Sequence, residues 1–282
     1  MPADSVRLAG QRREHSAVGS VTPSGAVALA RIAEHLDREL RTTDVPDYPG
    51  AFNGVQVENV SEVTRCAVAV DASLRTIAGA IEAGANLLIV HHGLFWGSSL
   101  PLRGRLFERV RRLIASDVAV YASHLPLDLH PTLGNNALLA RALGLEGATP
   151  FAQFQTIHVG VAGRADVTTE SLAAKLDGIA AAANGTVRRV GVTLARRTRH
   201  WAVCTGAGAS SDTLREAAKA GIDTLIVGEG AHHTAIEADE LGIAVLYAGH
   251  YATETFGVRA LGAEVERLFG IPWSFVDAPS GL

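Results

Sequence analysis

The chain has 282 residues, a formal net charge of −4, 48% hydrophobic side chains and two cysteines. That length and apolar content suffice for packed α/β domains, while the mild acidity argues against nucleic acid or an anionic membrane surface as a partner, without excluding a local basic patch. No apolar run approaches the roughly 18 residues needed to cross a bilayer, and the cysteines lack Cys-x-x-Cys spacing, so buried thiols in a reducing, cytoplasmic setting are expected.

Residues 1–24 are rich in Arg, Ser, Ala and Gly and lack the apolar core of a secretory signal, so they read as a disordered extension. Leu29, Ile32, Leu36 and Leu40, spaced three, four and four, predict an amphipathic helix. Tyr48-Pro-Gly breaks the chain, and Asn53-Gly-Val-Gln-Val-Glu58 reads as a turn entering a short strand. An apolar run from Cys66 to Asp71 follows, then an Ala-rich helical stretch, then Leu87-Leu-Ile-Val ending in His91-His92-Gly93. The next helical stretch carries Arg103, Arg105, Arg109, Arg111 and Arg112, read as a solvated face with a phosphate-steering rim as the alternative. The run from Val118 to Ser123 then ends in His124-Leu-Pro-Leu-Asp128, and a Gly/Pro-marked seam lies at 144–150.

Beyond the seam the same order recurs. A helix near 170–183 and a strand near 187–193 precede Trp201-Ala-Val-Cys-Thr-Gly206, a helical stretch, Thr224-Leu-Ile-Val-Gly-Glu-Gly230, another helix, and Ala244-Val-Leu-Tyr-Ala-Gly-His250-Tyr-Ala-Thr-Glu254. Apolar strands alternating with helices imply right-handed crossovers and parallel sheet buried on both faces. The expected fold is α/β: two similar α/β domains from an internal duplication, residues 25–145 and 146–282, each with a largely parallel core sheet flanked by helices.

Loops leaving strand ends in such sheets are where ligands collect. A pseudo-twofold arrangement of the copies would therefore bring His91, His92, His124, Asp128, Glu229, His250 and Glu254 to one place, and that set reads as a metal site. A histidine with an acid four residues later is common by chance; its occurrence at matching points of a repeat is what gives it weight. Glu229 stands where the second copy lacks the imidazole pair and reads as a turn acid or a group behind the ligands. His232 and His233 read as rim residues, and His15, His35, His130, His158 and His200 as structural or solvated. Thr205-Gly-Ala-Gly-Ala-Ser210 lacks both the full Gly-x-Gly-x-x-Gly and a P-loop lysine. Imidazole and carboxylate donors without thiolate suit zinc or iron, with manganese also compatible.

Taken together, Asn53-Gly-Val-Gln-Val-Glu, Ile89-Val-His-His-Gly, Ser123-His-Leu-Pro-Leu-Asp, Leu133-Gly-Asn-Asn, Cys204-Thr-Gly-Ala-Gly, Gly228-Glu-Gly and Ala248-Gly-His-Tyr-Ala-Thr-Glu resemble the Nif-three-like family. Its members are named GTP cyclohydrolase type II homologues or dinuclear-metal-centre hexameric proteins. The resemblance implies a homohexameric ring with two divalent metal ions per subunit, held by His91, His92, Asp128, His250 and Glu254, with His124 close by; Glu229 drops out. The activity expected is that of a metal-dependent hydrolase, cyclohydrolase-like or phosphoesterase-like, acting on a nucleotide-like small molecule with His124 moving the proton. The competing expectation is a non-catalytic metal-binding hexameric scaffold or partner-docking protein.

Overall fold

The computed structural model describes residues 25–96 and 101–282; the expected extension 1–24 lies outside them. The first half runs α1 (Leu29–Leu40), β1 (Gly54–Val57), β2 (Cys66–Asp71), α2 (Leu74–Glu82), β3 (Leu87–His92), α3 (Gly104–Ala115), β4 (Ala119–Ala122), α4 (Leu125–Asp128) and α5 (Asn135–Leu143). The second runs β5 (Thr149–Phe154), β6 (Ile157–Thr168), α6 (Thr169–Ala182), β7 (Arg188–Val190), β8 (Arg197–Cys204), α7 (Ser211–Ala220), β9 (Thr224–Val227), α8 (His232–Glu240), β10 (Ala244–Tyr247), α9 (His250–Thr253), α10 (Thr255–Phe269) and β11 (Trp273–Phe275).

The repeat seen in the sequence is the repeat of the topology. One sheet has the order β1-β4-β3-β2-β11 and the other β5-β6-β8-β9-β10-β7. In each, three consecutive strands joined by helices pair in parallel, β2, β3 and β4 in one and β8, β9 and β10 in the other. A short strand, β1 or β7, closes the edge antiparallel to the third of them. The parallel strands are apolar because helices cover both of their faces. Leu87 and Ile89 of β3 face a core with α1 and α10, while Leu88 and Val90 face α2 and α3. The stripe on α1 packs inward as its spacing predicts, with Ile32, Leu36 and Leu40 buried.

The second sheet departs from a largely parallel arrangement. Its far side is antiparallel, β6 pairing with both β8 and β5. Only Gln155 and Thr156 separate β5 from β6, and a link that short can join only antiparallel strands. The C-terminal segment returns to the first sheet: β11 pairs in parallel with β2, and α10 packs its Val258, Leu261 and Val265 into the core beneath it. The stretch 146–282 thus donates its last strand to the sheet of the first half. Among the described residues no helix is long and apolar enough to cross a membrane, and Cys66 and Cys204 are free, buried thiols.

Candidate metal centre

Each His-x-x-x-acid unit is one helical turn placed directly after a strand. His124 precedes α4 and Asp128 ends it; His250 opens α9 and Glu254 follows it. A separation of four residues puts both side chains of a unit on one face of the turn. In the second unit the His250 Nε2 to Glu254 Oε2 distance is 3.1 Å. His91 and His92 end β3, where strand alternation would send them to opposite faces, yet their ring centroids lie 4.7 Å apart. The strand stops there, Gly93 follows, and the backbone brings both rings to the same side.

The four imidazoles share one orientation. Nδ1 of His91 bonds the Ser123 carbonyl at 2.9 Å, that of His92 the Asp71 carboxylate at 2.9 Å, that of His124 Asp47 at 2.8 Å, and that of His250 Glu229 at 2.8 Å. An acceptor behind Nδ1 fixes the proton there and leaves the Nε2 lone pair facing the centre, as in histidines that bind metals. The Nε2 atoms of His91, His92 and His250 converge on Glu254. Its Oε1 lies 3.5 Å from His91, and its Oε2 lies 3.3 Å from His92. Asp128 Oδ2 is 3.6 Å from His91 Nε2.

Burial makes this concentration of donors costly unless something compensates it. His91 and Glu254 are almost wholly inaccessible, and neither His91 Nε2 nor Glu254 Oε2 has a hydrogen-bond partner. An orphaned buried polar atom costs about 1–3 kcal/mol, so a cation seated among these atoms fits the residues present. His91, His92 and His124 form one group of donor atoms close enough to hold an ion, and His92, His250 and Glu254 form another. In the protein without a cation, protons take its place. Burial opposes charge on His91, but Asp128 and Glu254 outweigh it and push the imidazole up to about 10. His250 is pushed up to about 9 by Glu254 and Glu229 against the same penalty. Glu254 is itself held well below the carboxylate range: burial works against it, and the charges of His91 and His92 prevail. Metal uptake would therefore displace protons.

The surrounding shell explains several motifs. Asn135 donates from Nδ2 to Asp128 Oδ1 at 2.9 Å and accepts the Gly257 N–H at 2.7 Å, tying α4 to α10. Asn136 accepts the Thr205 N–H at 2.8 Å. Gly206 has φ +62°, and a Cβ there would overlap Glu254 Oε1. The glycine-rich turn after β8 thus makes room for a carboxylate. A cavity of about 270 Å³ opens on the centre, lined by Tyr48, Trp96, His92, His124, Cys204 and Glu254 among others.

All seven residues named from the repeat come together, with Glu229 behind His250. Sequence reasoning missed Asp47 and Asp71. Asp71 ends the run Cys66–Asp71 and pairs in register with His92 on the neighbouring strand; Asp47 lies just before the Tyr48-Pro-Gly break. Cys204, read only as core, also borders the cavity. The arginine-rich stretch is Arg103 and the following α3, where Arg111 and Arg112 pair with Glu108, and none of the five arginines lines that cavity. His35 and His130 pair with Glu264 and Glu39 away from the centre, while His232 and His233 are exposed.

Residues 27–278 match the family model described as Duf34/NIF3 (NGG1p interacting factor 3). The chain is 42% identical over 272 residues to a Deinococcus radiodurans protein named "GTP cyclohydrolase 1 type 2 homolog", covering 93% of this chain and 98% of the relative. A Halobacterium salinarum protein of the same name is 42% identical, covering 90% and 99%. Among solved structures, a Thermus thermophilus protein superposes with a TM-score of 0.78 at 37% identity, covering 90% of this chain and 99% of that one. The protein ybgI, described as of unknown function, superposes with a TM-score of 0.80 at 32% identity over the same shares.

Proposed function

The chain belongs to the Duf34/NIF3 family, and on that premise we propose that its histidine–carboxylate cluster is the dinuclear metal centre of a hydrolase. The observation that carries the reading is the division of labour within Glu254: Oε1 faces His91, whereas Oε2 faces His92 and His250. One carboxylate is so placed that it can serve two ions, the first also held by His91 and Asp128, the second by His92 and His250. Two such divalent ions, zinc or iron before manganese from this donor set, would supply Lewis acidity and an activated water.

The remaining work falls to the chain. His124 keeps its Nδ1 proton on Asp47, so its Nε2 lone pair accepts a proton from the attacking water and returns it to the leaving atom as the scissile bond breaks. The Asp47 carboxylate offsets the positive charge that this transfer places on the imidazole. The cavity at the centre favours catalysis over a purely structural role, since closed structural sites leave no room for water or substrate. The relatives' name directs the substrate search to a guanine nucleotide, and the family resemblance to a homohexamer of 29.5 kDa chains.

The test is turnover by metal-reconstituted protein on a panel of purine nucleotides and phosphoesters. Hydrolysis that disappears on chelation and returns with metal supports the proposal. No turnover across the panel would favour the non-catalytic scaffold.

A further inference from the structure

The mouth of the cavity is aromatic. Tyr48 is 52% exposed and Trp96 37% exposed, and both line the cavity. The two flank His124, with ring centroids at 5.9 Å for Tyr48 and 5.0 Å for Trp96. Trp96 also lies 6.0 Å from the ring of His92. Neither aromatic is loosely placed. The Trp96 indole N–H donates to the Gly93 carbonyl at 3.0 Å, and Tyr48 packs on Phe154, at the tip of the hairpin between β5 and β6, at 4.8 Å. Two large side chains are thus held partly in solvent beside a buried polar centre, where neither serves the core. Among the described residues no arginine or lysine lines the cavity, and its anionic groups are Asp128 and Glu254. Its volume of about 270 Å³ lies just under the roughly 300 Å³ where pockets for drug-sized ligands begin.

Building on the hydrolase reading, we propose that Trp96 and Tyr48 form a stacking subsite for a planar nitrogen heterocycle of one or two rings. The ring, rather than a phosphate chain, carries recognition by the protein. A flat ring takes an aromatic face without needing countercharge, whereas a triphosphate would bring several negative charges to a cavity that no arginine or lysine among the described residues lines and whose His250 imidazole is already engaged by Glu229 and Glu254. Stacking on the indole would also place an edge of the ring toward His124 and His92, so Trp96 is a positioning residue for whichever bond of the heterocycle is attacked.

The experiment is calorimetric titration of the full-length protein, as purified and again after chelator treatment, with guanosine, GTP and inorganic tripolyphosphate, repeated on Trp96→Phe and Trp96→Leu. In chelated protein, guanosine and GTP are expected to bind within about threefold of one another and tripolyphosphate not at all. Trp96→Leu is expected to weaken guanosine by roughly 5- to 150-fold, the range of base–aromatic stacking, and Trp96→Phe to restore most of it at unchanged metal content. Tripolyphosphate binding as tightly as GTP to chelated protein, or guanosine affinity indifferent to Trp96→Leu, would overturn the subsite. Failure of the hydrolase reading looks different: Trp96-dependent binding without turnover sinks the hydrolase and leaves the subsite, and turnover with Trp96-independent binding does the reverse.

Discussion

Asp47 and His124 stand 77 positions apart in the chain and are joined by a 2.8 Å bond from Nδ1 to the carboxylate. That carboxylate is saturated with donors: Oδ1 also accepts the Tyr48 N–H at 2.7 Å, while Oδ2 accepts the Asn53 amide at 2.8 Å and the Leu125 N–H at 3.1 Å. The loop before β1 is pinned to the end of β4 at the point where the imidazole must be aimed.

His124→Gln should therefore keep both metal ions and lose about 10²- to 10⁴-fold in turnover, the scale of a general base. Asp47→Asn should cost activity too, because an amide presents N–H groups to neighbours that are themselves donors, and so favours the tautomer that blocks Nε2. Metal content and rate measured on the same samples decide the point. Loss of one ion in His124→Gln would make it a ligand instead.

The same pair sets a pH dependence. Burial raises the Asp47 carboxyl, but the bond and charge of His124 with the Asn53 and Tyr48 donors outweigh it, and the group lies below its ordinary value of 3.8. A carboxyl depressed by folding contributes stability that is present above its unfolded value and lost as pH falls through its folded one. The melting temperature of wild type should thus exceed that of Asp47→Asn at pH 6, with the gap narrowing below about pH 4. A gap constant down to pH 2 would show that the carboxylate's charge is not what stabilises this corner.

Gly206 offers a test confined to geometry. Gly206→Ala adds a Cβ at φ +62° against Glu254 Oε1, whereas Gly221→Ala faces a similar φ of +69° with nothing within 4 Å. Both should incur the left-handed backbone penalty of about 1–2 kcal/mol. Only the first should also lower metal affinity, read by chelator competition. Equal metal affinity in the two variants would mean that the turn does not position Glu254.

Much of this site was legible because a duplication wrote it twice. The apolar runs ending in His91-His92 and in His124 located strand ends, and their matches at Glu229 and His250 supplied the second half. What escaped was set by register and return paths. Asp71 acts on His92 because β2 and β3 align there, and Asp47 acts on His124 through a loop whose course no local pattern specifies. The return of β11 to β2 and the pairing of β6 with β8 were hidden for the same reason: pairing partners distant in sequence leave no periodicity to read.

Glu254 should matter more than any single histidine. Glu254→Gln removes one negative charge facing both halves of the cluster and should weaken both ions together, while His91→Ala or His92→Ala should chiefly disturb one. Metal stoichiometry of the three variants would contradict the shared role if Glu254→Gln lost one ion or none while a single histidine variant lost both.

The most direct measurement is elemental analysis of wild-type protein purified without chelator, with uptake measured after stripping and reconstitution. A dinuclear centre predicts close to two divalent ions per chain, zinc or iron before manganese, released together by a strong chelator and regained on reconstitution. Metal near zero with no uptake on reconstitution would contradict the centre, and with it the hydrolase.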